Sequence, residues 1–195
     1  MVRCGAAVGA LVGAAVLAVP TVGTAQALGA PGSRVEGAQA AAAAVCSTPW
    51  GSTGESAGAL STAALRDVRG GRHRCFDRLV FDLGRSRVGY HVRYVANVHA
   101  QGSGDVVPLR GGASLQVDLL HPAYDAKGRP TYVPSDPREL VSATGYRTLR
   151  QAAWGGSFEG QTTVGVGVRA RLPFRAFALH TATASKLVLD VAHRW

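Results

Sequence analysis

From position 64 onward apolar and polar side chains alternate with period two, the spacing of half-buried strands whose successive side chains point to opposite faces. In Leu79-Val80-Phe81-Asp82-Leu83 the odd positions are apolar, and Asp82 faces away together with Arg78. Tyr90, Val92, Tyr94, Ala96 and Val98 alternate with His91, Arg93 and Asn97. Leu115, Val117 and Leu119 alternate with Gln116 and Asp118, and Val164, Val166, Val168 and Ala170 with Gly165, Gly167, Arg169 and Arg171. Leu187, Leu189 and Val191 form the last run, with Asp190 on the other face. Pro173 to Leu179 reads as a further strand bent at its proline. Gly84-Arg85-Ser86 and Gly102-Ser103-Gly104-Asp105 read as hairpin turns. Residues 121–137 hold Pro122, Gly128, Pro130, Pro134 and Pro137, so they form a long loop. At its end Asp136 as N-cap and Pro137 at the first helical position mark one short helix, Pro137 to Leu140. The expectation is an all-β fold: a β-sandwich of mostly antiparallel strands with long loops and at most one short helix.

The first 63 residues follow another pattern. Arg3 precedes an apolar run from Gly5 to Val19, ended by Pro20 and followed by Ala25-Gln26-Ala27. A positive start, an apolar core and an A-x-A site in that order describe a cleaved secretory signal over residues 1–27. The core is shorter than the roughly 20 apolar residues that span a bilayer, so a secreted protein without a membrane span in its mature form is expected. Residues 28–45 are Ala-, Gly- and Pro-rich and read as a tether. Residues 47–62 are rich in Ser, Gly and Thr and read as irregular, held to the domain (64–195) by Cys46.

Removal of the signal takes Cys4 with it and leaves Cys46 and Cys75, for which only one intramolecular pairing exists. Outside the cytoplasm that disulfide persists. Closing a loop of this length stabilises by roughly 3–4 kcal/mol in the chain-entropy model. Formal net charge is +9, from 21 Lys and Arg against 12 Asp and Glu. Without Arg3 it is 9 − 1 = +8, a balance that favours acidic polymers. The basic residues are scattered arginines with no recognition helix or RNA-reading motif, so nucleic acid is not the expected partner.

Catalytic signatures are absent from the sequence. Gly155-Gly156-Ser157-Phe158-Glu159 misses the nucleophile-elbow spacing. The six histidines (His73, His91, His99, His121, His180 and His193) form no zinc pair, and Asp125-Ala126-Lys127-Gly128 lacks the alternating ligands of a calcium loop. Asp118, Glu159 and Asp190 are candidates for a carboxylate pair, but nothing in the sequence draws two of them together. The expectation is no enzyme, no metal and no cofactor.

One segment, residues 145–161, concentrates binding chemistry. It places Tyr146, Trp154 and Phe158 beside Arg147, Arg150 and Glu159, with glycines between. Flat aromatic faces stack on sugar rings, and arginine forks take carboxylates bidentately. These six are the candidate ligand-binding residues; the competing reading has Trp154 and Phe158 plugging the end of the sandwich. Arg78 and Asp190, each mid-strand among apolar residues, are a candidate structural ion pair.

Four stretches resemble a known family. They are Cys75-Phe76-Asp77-Arg78-Leu79-Val80-Phe81-Asp82, Gly145-Tyr146-Arg147-Thr148-Leu149-Arg150, Phe158-Glu159-Gly160-Gln161-Thr162-Thr163, and Leu187-Val188-Leu189-Asp190-Val191-Ala192-His193. Together they resemble the exported AMIN-like domain proteins of GC-rich Gram-positive bacteria. That group is similar to the AMIN domain of cell-wall amidases, a small β-sandwich that targets the envelope and binds peptidoglycan, while a separate domain cuts. The resemblance implies a sandwich fold and a non-catalytic role at the cell wall, with peptidoglycan or an associated anionic wall polymer as partner. It assigns no binding residues. The alternatives are docking on another exported protein through an open sheet edge or aromatic patch, and a hydrolase whose mark would be a pocket with converging carboxylates or histidines.

Overall fold

The computed structural model describes residues 46–195; the expected signal and residues 28–45 lie outside the described residues. Eleven strands and no helix occur among the described residues. One sheet has five strands in the order β1 (Glu55–Ala57), β4 (Tyr90–Val95), β7 (Ala113–Leu119), β9 (Gln161–Val168), β8 (Leu149–Phe158). The other has four, in the order β10 (Phe174–His180), β11 (Ala184–Ala192), β3 (Phe76–Gly84), β2 (Leu65–Arg72). A two-stranded hairpin, β5 (Val98–His99) and β6 (Val106–Val107), completes the set, and every pairing is antiparallel.

Alternation builds the core as expected. Val92, Leu115, Val117, Val164, Val166 and Val168 point inward from the five-stranded sheet. Val68, Leu79, Phe81, Leu83, Phe174, Leu187, Leu189 and Val191 meet them from the four-stranded sheet. Each such side chain contributes roughly 1.5–3 kcal/mol by leaving water. The result is the expected all-β sandwich.

The elements that depart from the sequence reading each have a physical reason. β8 is a ten-residue strand without clear alternation, because both of its faces are covered: Gln151, Ala152 and Ala153 are all buried. Residues 47–62, expected to be irregular, contain β1, three residues paired with β4. Gly84-Arg85-Ser86 is no hairpin. It carries the chain from β3 in one sheet to β4 in the other, since turn residues encode a change of direction and not the partner. Gly102 to Asp105 does join a hairpin, β5 to β6. The expected helix at Pro137 is a single turn. Asp136 caps it by accepting the Arg138 N–H at 2.8 Å, but the Leu140 N–H then turns to Ala152 O at 2.8 Å and Pro137 O accepts the Trp154 N–H at 2.6 Å. Those bonds cover the free edge of β8, which removes an unpaired template for strand addition.

The N-terminal strap closes the other side. The Cys46–Cys75 disulfide fixes it at the β2–β3 turn, with Cα atoms 5.0 Å apart. Gly51 O accepts the Phe174 N–H at 2.8 Å and Glu55 Oε2 the Ala176 N–H at 2.7 Å, so the strap caps the edge of β10.

Candidate ligand-binding surface

The six candidate residues lie on or beside β8, and that strand disperses them. At about 3.3 Å per residue its ten residues span roughly 33 Å. Tyr146, Arg147 and Arg150 sit near its start, Trp154 at its middle, Phe158 and Glu159 at its end.

At the start of β8 a buried joint sets the geometry. Asp77 Oδ2 accepts the N–H groups of Thr148 (2.6 Å) and Leu149 (2.9 Å), and Asp77 Oδ1 lies 3.0 Å from His193 Nε2. Thr148 Oγ1 donates to Ala192 O at 3.0 Å, and His193 N–H to Cys75 O at 2.9 Å. Three of the four recognisable sequence stretches therefore meet in one knot. Asp77 and His193 are acid and base in kind, but the carboxylate is already filled by main-chain donors, and both side chains are buried. Around this joint Tyr146 is half-buried, its phenol standing over Gly70, where an added Cβ would come within 2.3 Å of the hydroxyl. Burial pushes its hydroxyl pKa up, with Asp77 adding to the effect. Arg150 is turned onto the main chain, donating to Leu149 O (3.0 Å), Arg147 O (3.2 Å) and Tyr146 O (3.5 Å). Arg147 is exposed.

At the far end Phe158 is exposed beside Gly102. Glu159 (φ 49°) and Gly160 (φ 79°) are the two central residues of the β8–β9 turn. Both are left-handed, as a two-residue hairpin of the primed type requires. Glu159 is thus a turn residue on the surface, remote from Arg147 and Arg150.

At the centre Trp154 points to the inner side at the sandwich edge, its ring 5.6 Å from that of Tyr132. It and Pro137 form a saddle between two depressions. One, of about 560 Å³, is bounded by Val106, Val107, Leu109, Arg138 and Ala153. The other, of about 420 Å³, is bounded by Tyr124, Pro130, Tyr132, Val133 and Pro134. Both fall within the size range of ligand clefts, about 300–1,000 Å³. Among the described residues no Asp or Glu lines either one. Arg110, at one rim, is bound to Glu139 at 2.6 Å and to Arg150 O at 2.9 Å. The exposed Arg138 guanidinium makes no hydrogen bond or ion pair with a described residue. Arg138, Leu109 and Tyr132 were not candidates in the sequence, because they come from the long loop and the β6–β7 connection and carry no motif.

Arg78 and Asp190 face each other on neighbouring strands, with bonds of 2.6 and 2.8 Å. Asp190 is fully buried and also takes Arg175 at 2.9 Å. The Asp190 bond holds the Arg78 guanidinium above its ordinary pKa, against the opposing effect of burial. Arg175 in turn lies 4.4 Å from the centre of the Trp50 ring and 4.9 Å from that of Phe177. Among the described residues no group of three or more His, Cys, Asp or Glu is placed to hold a metal ion, and no helix is long and apolar enough to cross a membrane.

Two stacked antiparallel sheets with a groove along one covered edge define a β-sandwich module. The chain belongs to the AMIN-like domain family, whose model matches residues 63–193. None of the curated proteins matches it.

Proposed function

We propose that this protein is a non-catalytic module of the cell envelope that binds the glycan of peptidoglycan in the groove across Trp154. The exported location is supported by the signal-like first 27 residues and by the disulfide, a bond that persists outside the cytoplasm. Membership of the AMIN-like family supports a role at the wall. One observation carries the site. Two depressions share Trp154 and Pro137, so successive units of a linear polymer can occupy them, with aromatic faces for the sugar rings and Arg138 for a carboxylate.

Sedimentation with purified sacculi stripped of anionic polymers tests this at moderate salt. The wild-type protein is expected to pellet with the sacculi. Arg138→Glu and Val106→Glu change exposed rim residues without touching the core, and each is expected to weaken retention at least about tenfold, a difference of about 1.4 kcal/mol. A wild-type protein that stays in the supernatant, or rim variants that pellet equally well, would overturn the proposal.

A further inference from the structure

The groove leaves the charge of the molecule unexplained, and that charge is unevenly placed. One end of the sandwich gathers the end of β2, the β2–β3 turn, the approach to β8, the β9–β10 connection and the chain after β11. Main-chain and side-chain bonds tie these segments together: His193 N–H to Cys75 O, Arg169 N–H to Thr148 O, and Arg169 Nη2 to His193 O at 2.7 Å. Residues 71–76, 143–150, 168–175 and 191–195 contain eight arginines (Arg72, Arg74, Arg147, Arg150, Arg169, Arg171, Arg175, Arg194) and no Asp or Glu. Four carboxylates border these segments and each is already bonded: Asp77 and Asp190 are buried, Glu139 is held by Arg110 and Glu55 accepts the Ala176 N–H. At the opposite end Arg66, Arg85, Arg87, Lys127 and Arg129 stand with two carboxylates, Glu159 and Asp125, the latter bound to Arg129.

Three of the eight stand out. Arg72, Arg74 and Arg147 are exposed, and their guanidinium groups form no hydrogen bond or ion pair with a described residue. They sit at the end of β2, in the β2–β3 turn and on the approach to β8: Arg72 Nη1 lies 2.6 Å from where a Cβ on Gly145 would be, two residues before Arg147. Like charges left together unpaired cost stability, so the fold gains nothing from this arrangement. None of these three lines any depression described above. A small anion has no enclosure there, whereas a chain that repeats its charge can meet several planar forks in succession.

We infer that this arginine pole is a second binding site, separate from the Trp154 groove, and that its ligand is a phosphodiester or polyphosphate chain. Each guanidinium offers a bidentate fork to a phosphate, and repetition along one polymer makes the later contacts intramolecular. Affinity then depends steeply on salt and on chain length.

Binding of long-chain inorganic polyphosphate, with orthophosphate at equal phosphate concentration as the monomer control, tests the inference by titration calorimetry. Arg72→Gln/Arg74→Gln/Arg147→Gln removes three charges from the pole. Arg66→Gln/Arg85→Gln/Arg87→Gln removes three from the other end and keeps the same net charge. Polyphosphate is expected to bind the wild type and the second variant alike, with at least tenfold weaker binding to the first and none of orthophosphate. Equal loss in both variants would show attraction to net charge alone and overturn the site. Failure to bind polyphosphate, with binding to phosphatidylglycerol vesicles instead, would overturn the ligand class. Neither result touches the groove, whose test uses sacculi freed of such polymers.

Discussion

The two sheets bury similar inner faces but treat their outer faces in opposite ways. On the five-stranded sheet Gly165 and Gly167 alternate with the core valines, and both are buried although they point away from the core. The segment from Val98 to Arg110 lies across them as a third layer. A Cβ at Gly167 would fall 2.0 Å from Arg110 O, and one at Gly165 3.1 Å from Leu109. Gln151 fastens that layer by accepting the Arg110 N–H at 2.7 Å and donating to Arg138 O at 2.8 Å. On the four-stranded sheet no such backbone crosses the centre among the described residues. Its outer face is built from cross-strand rows: Arg175, Asp190 and Arg78; Phe177, Val188 and Val80; Lys186 and Asp82, with Arg69 also on Asp82. Long side chains lie over the sheet and bury Val188 and Asp190. Absent side chains invite a covering backbone, whereas long ones are themselves the cover.

The comparison breaks most sharply at Arg78. Arg78→Met leaves the buried Asp190 carboxylate with one cation in place of two, and a loss of about 3 kcal/mol in unfolding free energy is expected. Chemical denaturation measures it; a loss below about 1 kcal/mol would mean that the row is no more than a surface ion pair.

A pair of glycines sharpens the contrast. Gly167→Ala drives a methyl into the covering backbone and is expected to cost about 1–3 kcal/mol. Gly71, on the outer side of β2 opposite Arg78, has only ordinary contacts at 3.5 and 3.8 Å. Gly71→Ala is expected to lie within about 0.5 kcal/mol of wild type. Equal melting temperatures for the two variants would refute the covered-against-open distinction.

Acid separates the regions by smaller amounts. On the open face burial would raise the pKa of Asp82, but its bonds from Arg69 and Lys186 outweigh that and hold it below the usual carboxylate range. Asp82 therefore keeps its charge, and its bonds to Arg69 and Lys186, to lower pH than an ordinary carboxylate. The loops after β7 depend on a neutral ring instead. His121 is fully buried, with Nδ1 2.7 Å from Ala63 O and Nε2 accepting the Gly89 N–H at 3.1 Å. Burial lowers its pKa below 6.5, partly offset by the Ala63 bond. In the window below 6.5 the unfolded chain binds more protons at this site than the folded one, so stability rises with pH there. The contribution is complete above about pH 6.5 and is lost as the pH falls toward the depressed folded value. The stability difference between wild type and His121→Asn is expected to shrink between pH 7.5 and pH 5, followed by thermal melting. A constant difference would remove His121 from the acid response.

How much of this was legible beforehand varies with the kind of constraint. Period-two patterning announced β3, β4, β7, β9 and β11, because the core face of each takes large apolar side chains while the other face takes mostly polar residues or glycine. It was silent on β8, where both faces are covered, and it could not tell that Gly84 to Ser86 changes sheets. The disulfide needed only the count of cysteines and a compartment. Among the site residues, Trp154 had an aromatic signal, and it lines the groove. Arg138 and Tyr132 carried no signal, since a loop residue acquires its neighbours only when the loop is laid down.

The sequence by itself determined the two-layer β architecture and the pairing of its cysteines, because both follow from local spacing and composition. Tertiary structure alone decided that Tyr146, Trp154 and Phe158 go to three different places, that the glycines of β9 lie under a third layer, and that arginines far apart in the chain share one end. Strand order and the packing of loops depend on contacts between distant residues, and those are fixed only when the sheets close on their common core.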